Sequence, residues 1–118
     1  MSEGFDSTEV LRLLDDEYAR TILTATSDRP MSAKELKEEV GASLPTVYRR
    51  VEGLLEQGLV VESTEIDPDG NHYNRYEAAV DHIDIDIQDG MMNIDVSRTT
   101  DPADRFTSAW ERIRGDER

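Results

Sequence analysis

At 118 residues, 36% of them hydrophobic, the chain suits one domain with a small core. It carries 27 acidic against 13 basic residues, a net charge of −14, and no cysteine. Disulfides, thiolate metal sites and thiol redox switches are thereby excluded, and no apolar run approaches the roughly 20 residues that span a bilayer.

The opening MSEGFDSTE is polar and lacks a signal-peptide pattern, so a soluble, cytoplasmic protein is expected. Apolar residues then recur at helical spacing: Val10, Leu11, Leu14, Tyr18, Ile22 and Leu23. The Asp15-Asp16 pair divides them, because an aspartate caps a helix start. This predicts a short helix near 7–14 and a longer one near 16–27.

In RPMSAKELKEEVG, Ser32 and Glu35 have the spacing of a capping box, and Met31 before the cap pairs with Leu36 as a hydrophobic staple. Gly41 ends this helix, predicted over 33–40. Ser43 is a good cap for the next one, and Pro45 is tolerated in its first turn. Leu44, Val47, Val51, Leu54 and Leu55 form a single buried stripe before Gly58 stops the helix. The three residues Gly41 to Ser43 match the turn of a helix-turn-helix.

Two strands are expected around Asp67-Pro68-Asp69-Gly70, where proline and glycine suit a type I turn. A β-hairpin directly after such a helix is a wing. Next, HIDIDIQDGMMNIDV alternates strictly, with Ile83, Ile85 and Ile87 on one face and Asp84 and Asp86 on the other. Asp89-Gly90 is a hairpin turn, and Met92, Ile94 and Val96 continue the alternation on the return strand. The isoleucine face is expected to be core or dimer interface. A terminal helix is expected to carry Phe106, Ala109, Trp110 and Ile113 on one face.

The resulting fold is α+β: a winged helix-turn-helix over 1–80, then a second hairpin and terminal helix over 81–118, together making one compact domain. At 100° per residue, Thr46, Arg49, Arg50 and Gly53 are expected on outward positions of the second motif helix, with Glu52 and Glu56 toward its rear. A helix entering the major groove leads with its N-terminal residues, where arginine chelates guanine or grips a phosphate. Helical arginines more often pair with neighbouring acids. The order of capped helix, short turn, second helix and wing favours DNA.

The stretch S-x-x-T-V-Y-R followed by L-L-E-Q-G-L-V resembles the winged helix-turn-helix of ArsR-type transcriptional regulators, particularly the haloarchaeal kind, over roughly residues 9–80. PadR-type and MarR-type relatives share the pattern. The resemblance implies a homodimer on a palindromic double-stranded DNA operator. It also implies that Ser43, Pro45, Thr46, Tyr48, Arg49 and Arg50 lie on or beside the DNA-reading surface. The Asp- and Glu-rich, Lys-poor composition is similar to that of proteins from halophilic archaea, where high net charge maintains solubility.

Among the remaining candidates, wing residues His72, Asn74 and Arg75 are placed to touch the backbone or minor groove. Lys34 and Lys37 are placed to reach phosphates, though Glu35, Glu38 and Glu39 share their segment. The terminal-helix face of Phe106, Trp110 and Ile113 is expected to pack in the dimer with Leu11 and Leu14 of the first helix. Asp67, Asp69 and Asn71 superficially match a calcium loop, but His72 and Ala78 stand where it needs glycine and glutamate. His72 and His82 are too few for a metal-sensing set, so no metal or cofactor is expected and any small-molecule effector is open. No nucleophile–base–acid arrangement is visible, and no catalysis is expected. A winged-helix interaction module that does not read sequence is the alternative function.

Overall fold

The computed structural model describes residues 5–98. The chain parts into two compact units, Met1–Ala78 and Ala79–Arg118. The predicted terminal helix, with Phe106, Trp110 and Ile113, lies outside the described residues.

The first unit opens with helices α1 (Ser7–Asp15) and α2 (Glu17–Asp28). Asp6 caps α1 by accepting the amides of Thr8 and Glu9, and Asp16 caps α2 by accepting that of Ala19. Helix α3 (Ala33–Val40) starts on the predicted capping box and ends at Gly41, whose φ of 74° is left-handed. Helix α4 (Leu44–Glu56) starts on Ser43 with Pro45 in its first turn. It ends in a Schellman arrangement, in which Gly58 donates to Leu55 O and Leu59 to Leu54 O, at 3.0 and 2.9 Å.

Three antiparallel strands complete this unit, β1 (Met31–Ser32), β2 (Val60–Ile66) and β3 (His72–Ala78), in the sheet order β1-β3-β2. Strands β2 and β3 are the predicted wing. Its tip is held by Asp67, whose carbonyl accepts from Gly70 and whose side chain accepts the amides of Asp69 and Asn71. Its Oδ1 is thus committed to the turn, and the loop joins two strands, whereas an EF-hand loop joins two helices. Strand β1 is only Met31–Ser32, paired with Tyr76 and Arg75. No local pattern marks it, because so short a strand exists only through its partner.

The core lies between the four helices and the base of the sheet. Val10, Ile22, Leu36, Val47, Leu54 and Leu59 are wholly buried, each contributing roughly 1.5–3 kcal/mol. Thr26 is a buried polar residue there, and its hydroxyl donates to Ile22 O at 2.8 Å within its own helix.

The described part of the second unit is the hairpin β4 (Val80–Gln88) and β5 (Met91–Arg98). Asp89 and Gly90 both have positive φ, 55° and 75°, as a type I′ turn requires. The register sets Ile83 opposite Val96, Ile85 opposite Ile94 and Ile87 opposite Met92, so the predicted apolar face is real. It is not core toward the turn: Ile85 is 47% exposed, Met92 54% and Ile87 77%. A two-stranded ribbon has no second layer of its own to cover such a face.

Candidate nucleic-acid interface

The start of helix α4 is fixed by its cap. Ser43 accepts the Thr46 amide at 3.4 Å and donates its hydroxyl to that of Thr46 at 3.1 Å. With Val47, Val51 and Leu54 buried on the inner side, Pro45, Tyr48 and Arg49 are exposed, Tyr48 at 51%. Arg49 has no ion pair among the described residues.

Two adjoining grooves run along this face. One, of about 740 Å³, lies between the start of α3 and the wing and is lined by Lys34, Tyr48, His72, Asn74 and Arg75, with Glu35, Asp67 and Tyr73 among them. The second is lined by Pro45, Tyr48, Arg49 and Asn74, together with Glu52 and Glu62. Tyr48, Asn74 and Tyr76 belong to both. The fold therefore gathers most of the sequence-predicted positions onto one surface, but that surface is mixed in charge rather than uniformly basic.

Several predicted residues have structural employment. Arg75 is half-buried and donates to Pro30 O at 3.2 Å, tying β3 to the segment that enters β1. Asn74 accepts from the Thr64 hydroxyl across the wing at 3.2 Å. Lys37 is half-buried and 4.0 Å from Glu38. Lys34 and His72 are exposed, while Leu11 and Leu14 are half-buried.

Arg50 and Gly53 depart from the outward placement expected of them. Arg50 Nε donates to Asp16 Oδ2 at 2.8 Å, and its guanidinium lies 5.7 Å from the Tyr18 ring centre. A Cβ on Gly53 would stand 3.1 Å from Leu13 Cδ2. This side of α4 faces α1 and the start of α2, a neighbour that periodicity within one helix does not reveal. Asp16 was legible as a cap, but not as the partner of Arg50.

The electrostatics follow from these bonds. The Arg50 hydrogen bond holds the Asp16 carboxyl below its ordinary range, helped by the Ala19 amide and opposed by partial burial. The Ser32 amide does the same for Glu35, with Arg29 assisting and partial burial opposing. Burial raises the Tyr76 phenol, and the Glu62 carboxylate raises it further.

Among the described residues, no three His, Asp or Glu side chains gather to hold a metal, and no helix is long and apolar enough to cross a membrane. No curated protein matches the chain. Residues 14–63, from the end of α1 into β2, match the helix-turn-helix domain family, and α3, its turn and α4 are that motif.

Proposed function

We propose that the protein is a sequence-specific double-stranded DNA-binding transcriptional regulator of ArsR-like, haloarchaeal kind, acting as a homodimer in a high-salt cytoplasm. The observation that supports this best is the outer face of α4: Pro45, Tyr48 and Arg49 share one groove with Asn74 of the wing. The front of α4 would enter the major groove, with the wing and Lys34 beside it. In a dimer, two such helices would meet a palindromic operator about 34 Å apart. Leu11, Leu14, Phe106, Trp110 and Ile113 are the proposed dimer contacts, and the open isoleucine face of β4–β5 is a further surface suited to a second copy. The mechanism is binding without catalysis, cofactor or metal.

Glu52 and Glu62 beside Arg49 favour a second reading, an interaction module that meets a charged protein surface. Duplex titration in molar KCl separates the two. Saturable binding that resists competitor DNA, weakened about tenfold or more by Arg49→Ala, is expected of a regulator making a base contact. Wild-type and variant protein binding every duplex equally weakly would favour the interaction module.

A further inference from the structure

The two adjacent arginines of α4 are used differently. Arg49 is exposed, whereas Arg50 is drawn back to Asp16 at 2.8 Å and sits over Tyr18. The same Asp16 oxygen, Oδ2, also accepts the Ala19 amide at 2.8 Å, so the start of α2 and the placement of Arg50 share one acceptor. Farther along the same side of α4, Gly53 admits Leu13, and the Gln57 side chain accepts the Asp6 amide at 2.6 Å. Positions 50, 53 and 57 are spaced at i, i+3 and i+7 and make one helix face. That face meets Asp16 just after α1, Leu13 within it and Asp6 just before it. A helix gripped along one side has its rotation and axial position determined, and these decide where the opposite side points.

We propose that Arg50 is a positioning residue: held by Asp16 and Tyr18, it sets α4 against the α1–α2 corner and thereby aims Arg49 and Tyr48, without itself touching DNA. The inference rests on the DNA-binding reading above and adds α1 and the start of α2 to the machinery of recognition. It also resolves why an acidic protein keeps both cations here. One is free for the partner, and the other fixes the helix that carries it.

Charge alone predicts the opposite behaviour. Removing a carboxylate from a protein of net charge −14 should draw DNA closer. If Asp16 acts through Arg50, removing its charge should weaken binding instead. Asp16→Asn is the informative variant, because asparagine still caps a helix and leaves the start of α2 intact.

The experiment uses the full chain, and duplexes that the wild-type protein selects from a randomised pool, titrated across a range of KCl. Asp16→Asn and Arg50→Gln are each expected to bind about fivefold more weakly, the scale of a partly exposed ion pair. The double variant should be no weaker than either single, since both remove the same interaction. The slope of log affinity against log salt should equal that of wild type. Asp16→Asn binding as tightly as wild type, or more tightly, would overturn the proposal. So would a slope reduced by about 0.9 in Arg50→Gln, the signature of one lost phosphate contact. Should Arg50→Gln fail to fold by circular dichroism, Asp16→Asn decides alone. A wild-type protein that selects no duplex would overturn the DNA-binding reading and this inference together, which separates that failure from the others.

Discussion

Arg49 and Arg50 are neighbours in sequence but about 100° apart around α4, and that rotation separates their roles. The sequence makes both visible as cations near a helix front. It does not reveal that an acid 34 residues earlier holds one of them. Gly53 follows the same logic, because its lack of a side chain lets Leu13 of α1 come close. Leu13 Cδ2 is the end of a flexible, half-buried side chain and has room to move by tenths of an ångström. Alanine also gains up to about 1 kcal/mol of helix propensity over glycine. Gly53→Ala is therefore expected to leave stability within about 0.5 kcal/mol of wild type or raise it, whereas the larger Gly53→Val should cost more than about 1 kcal/mol by overpacking. Urea unfolding of the two variants checks this, and equal losses in both would mean that the α1–α4 approach cannot relax.

The helix ends show how far local chemistry reaches. Ser32, Glu35, Gly41, Ser43 and Gly58 act within four residues of themselves, and each does in the fold what its type and spacing predict. Ser32→Ala should cost about 1 kcal/mol, because the Glu35 amide loses its acceptor at the start of α3. Acid should weaken the same cap. Glu35 and Asp16 both have carboxyl pKa values lowered by folding, so the native state binds fewer protons than the unfolded chain and stability rises with pH. Their contribution is complete above the ordinary carboxylate range near pH 4 and is lost as pH falls through the lower native values. Unfolding followed from pH 6 to pH 2 should therefore show a shallower acid loss in Glu35→Gln than in wild type. A steeper loss would contradict the assignment. Strand β1 and the Arg75–Pro30 bond lie beyond this local reach, because each needs a partner more than 40 residues away.

Across the molecule, 27 acids against 13 bases repel one another in dilute salt. The screening length falls from about 10 Å at 0.1 M to about 3 Å at 1 M, so added KCl should relieve this repulsion. The melting temperature is expected to rise between 0.1 and 2 M KCl, and a flat or falling response would argue against adaptation to high salt. The β4–β5 ribbon adds a second property at this scale. Its Ile85, Ile87 and Met92 face is exposed toward the turn and so is not core there. If a second copy covers it, Ile87→Asp should shift sedimentation toward the monomer while circular dichroism stays folded. An unchanged sedimentation coefficient would remove the ribbon from the dimer contacts.

The sequence by itself determined the caps of α2, α3 and α4, the two hairpin turns, the alternation of β4 and β5, and the order of elements that makes a winged helix-turn-helix. These depend on interactions between residues a few positions apart, whose geometry is the same in any fold. Only the tertiary structure decided which side of α4 is covered, that Asp16 rather than Glu52 or Glu56 takes Arg50, that Met31–Ser32 becomes a strand, and that Arg75 is tied to Pro30. Those outcomes depend on which distant segments meet. A residue's chemistry states what it can bond to, but chain packing chooses among the many acids and carbonyls that would serve.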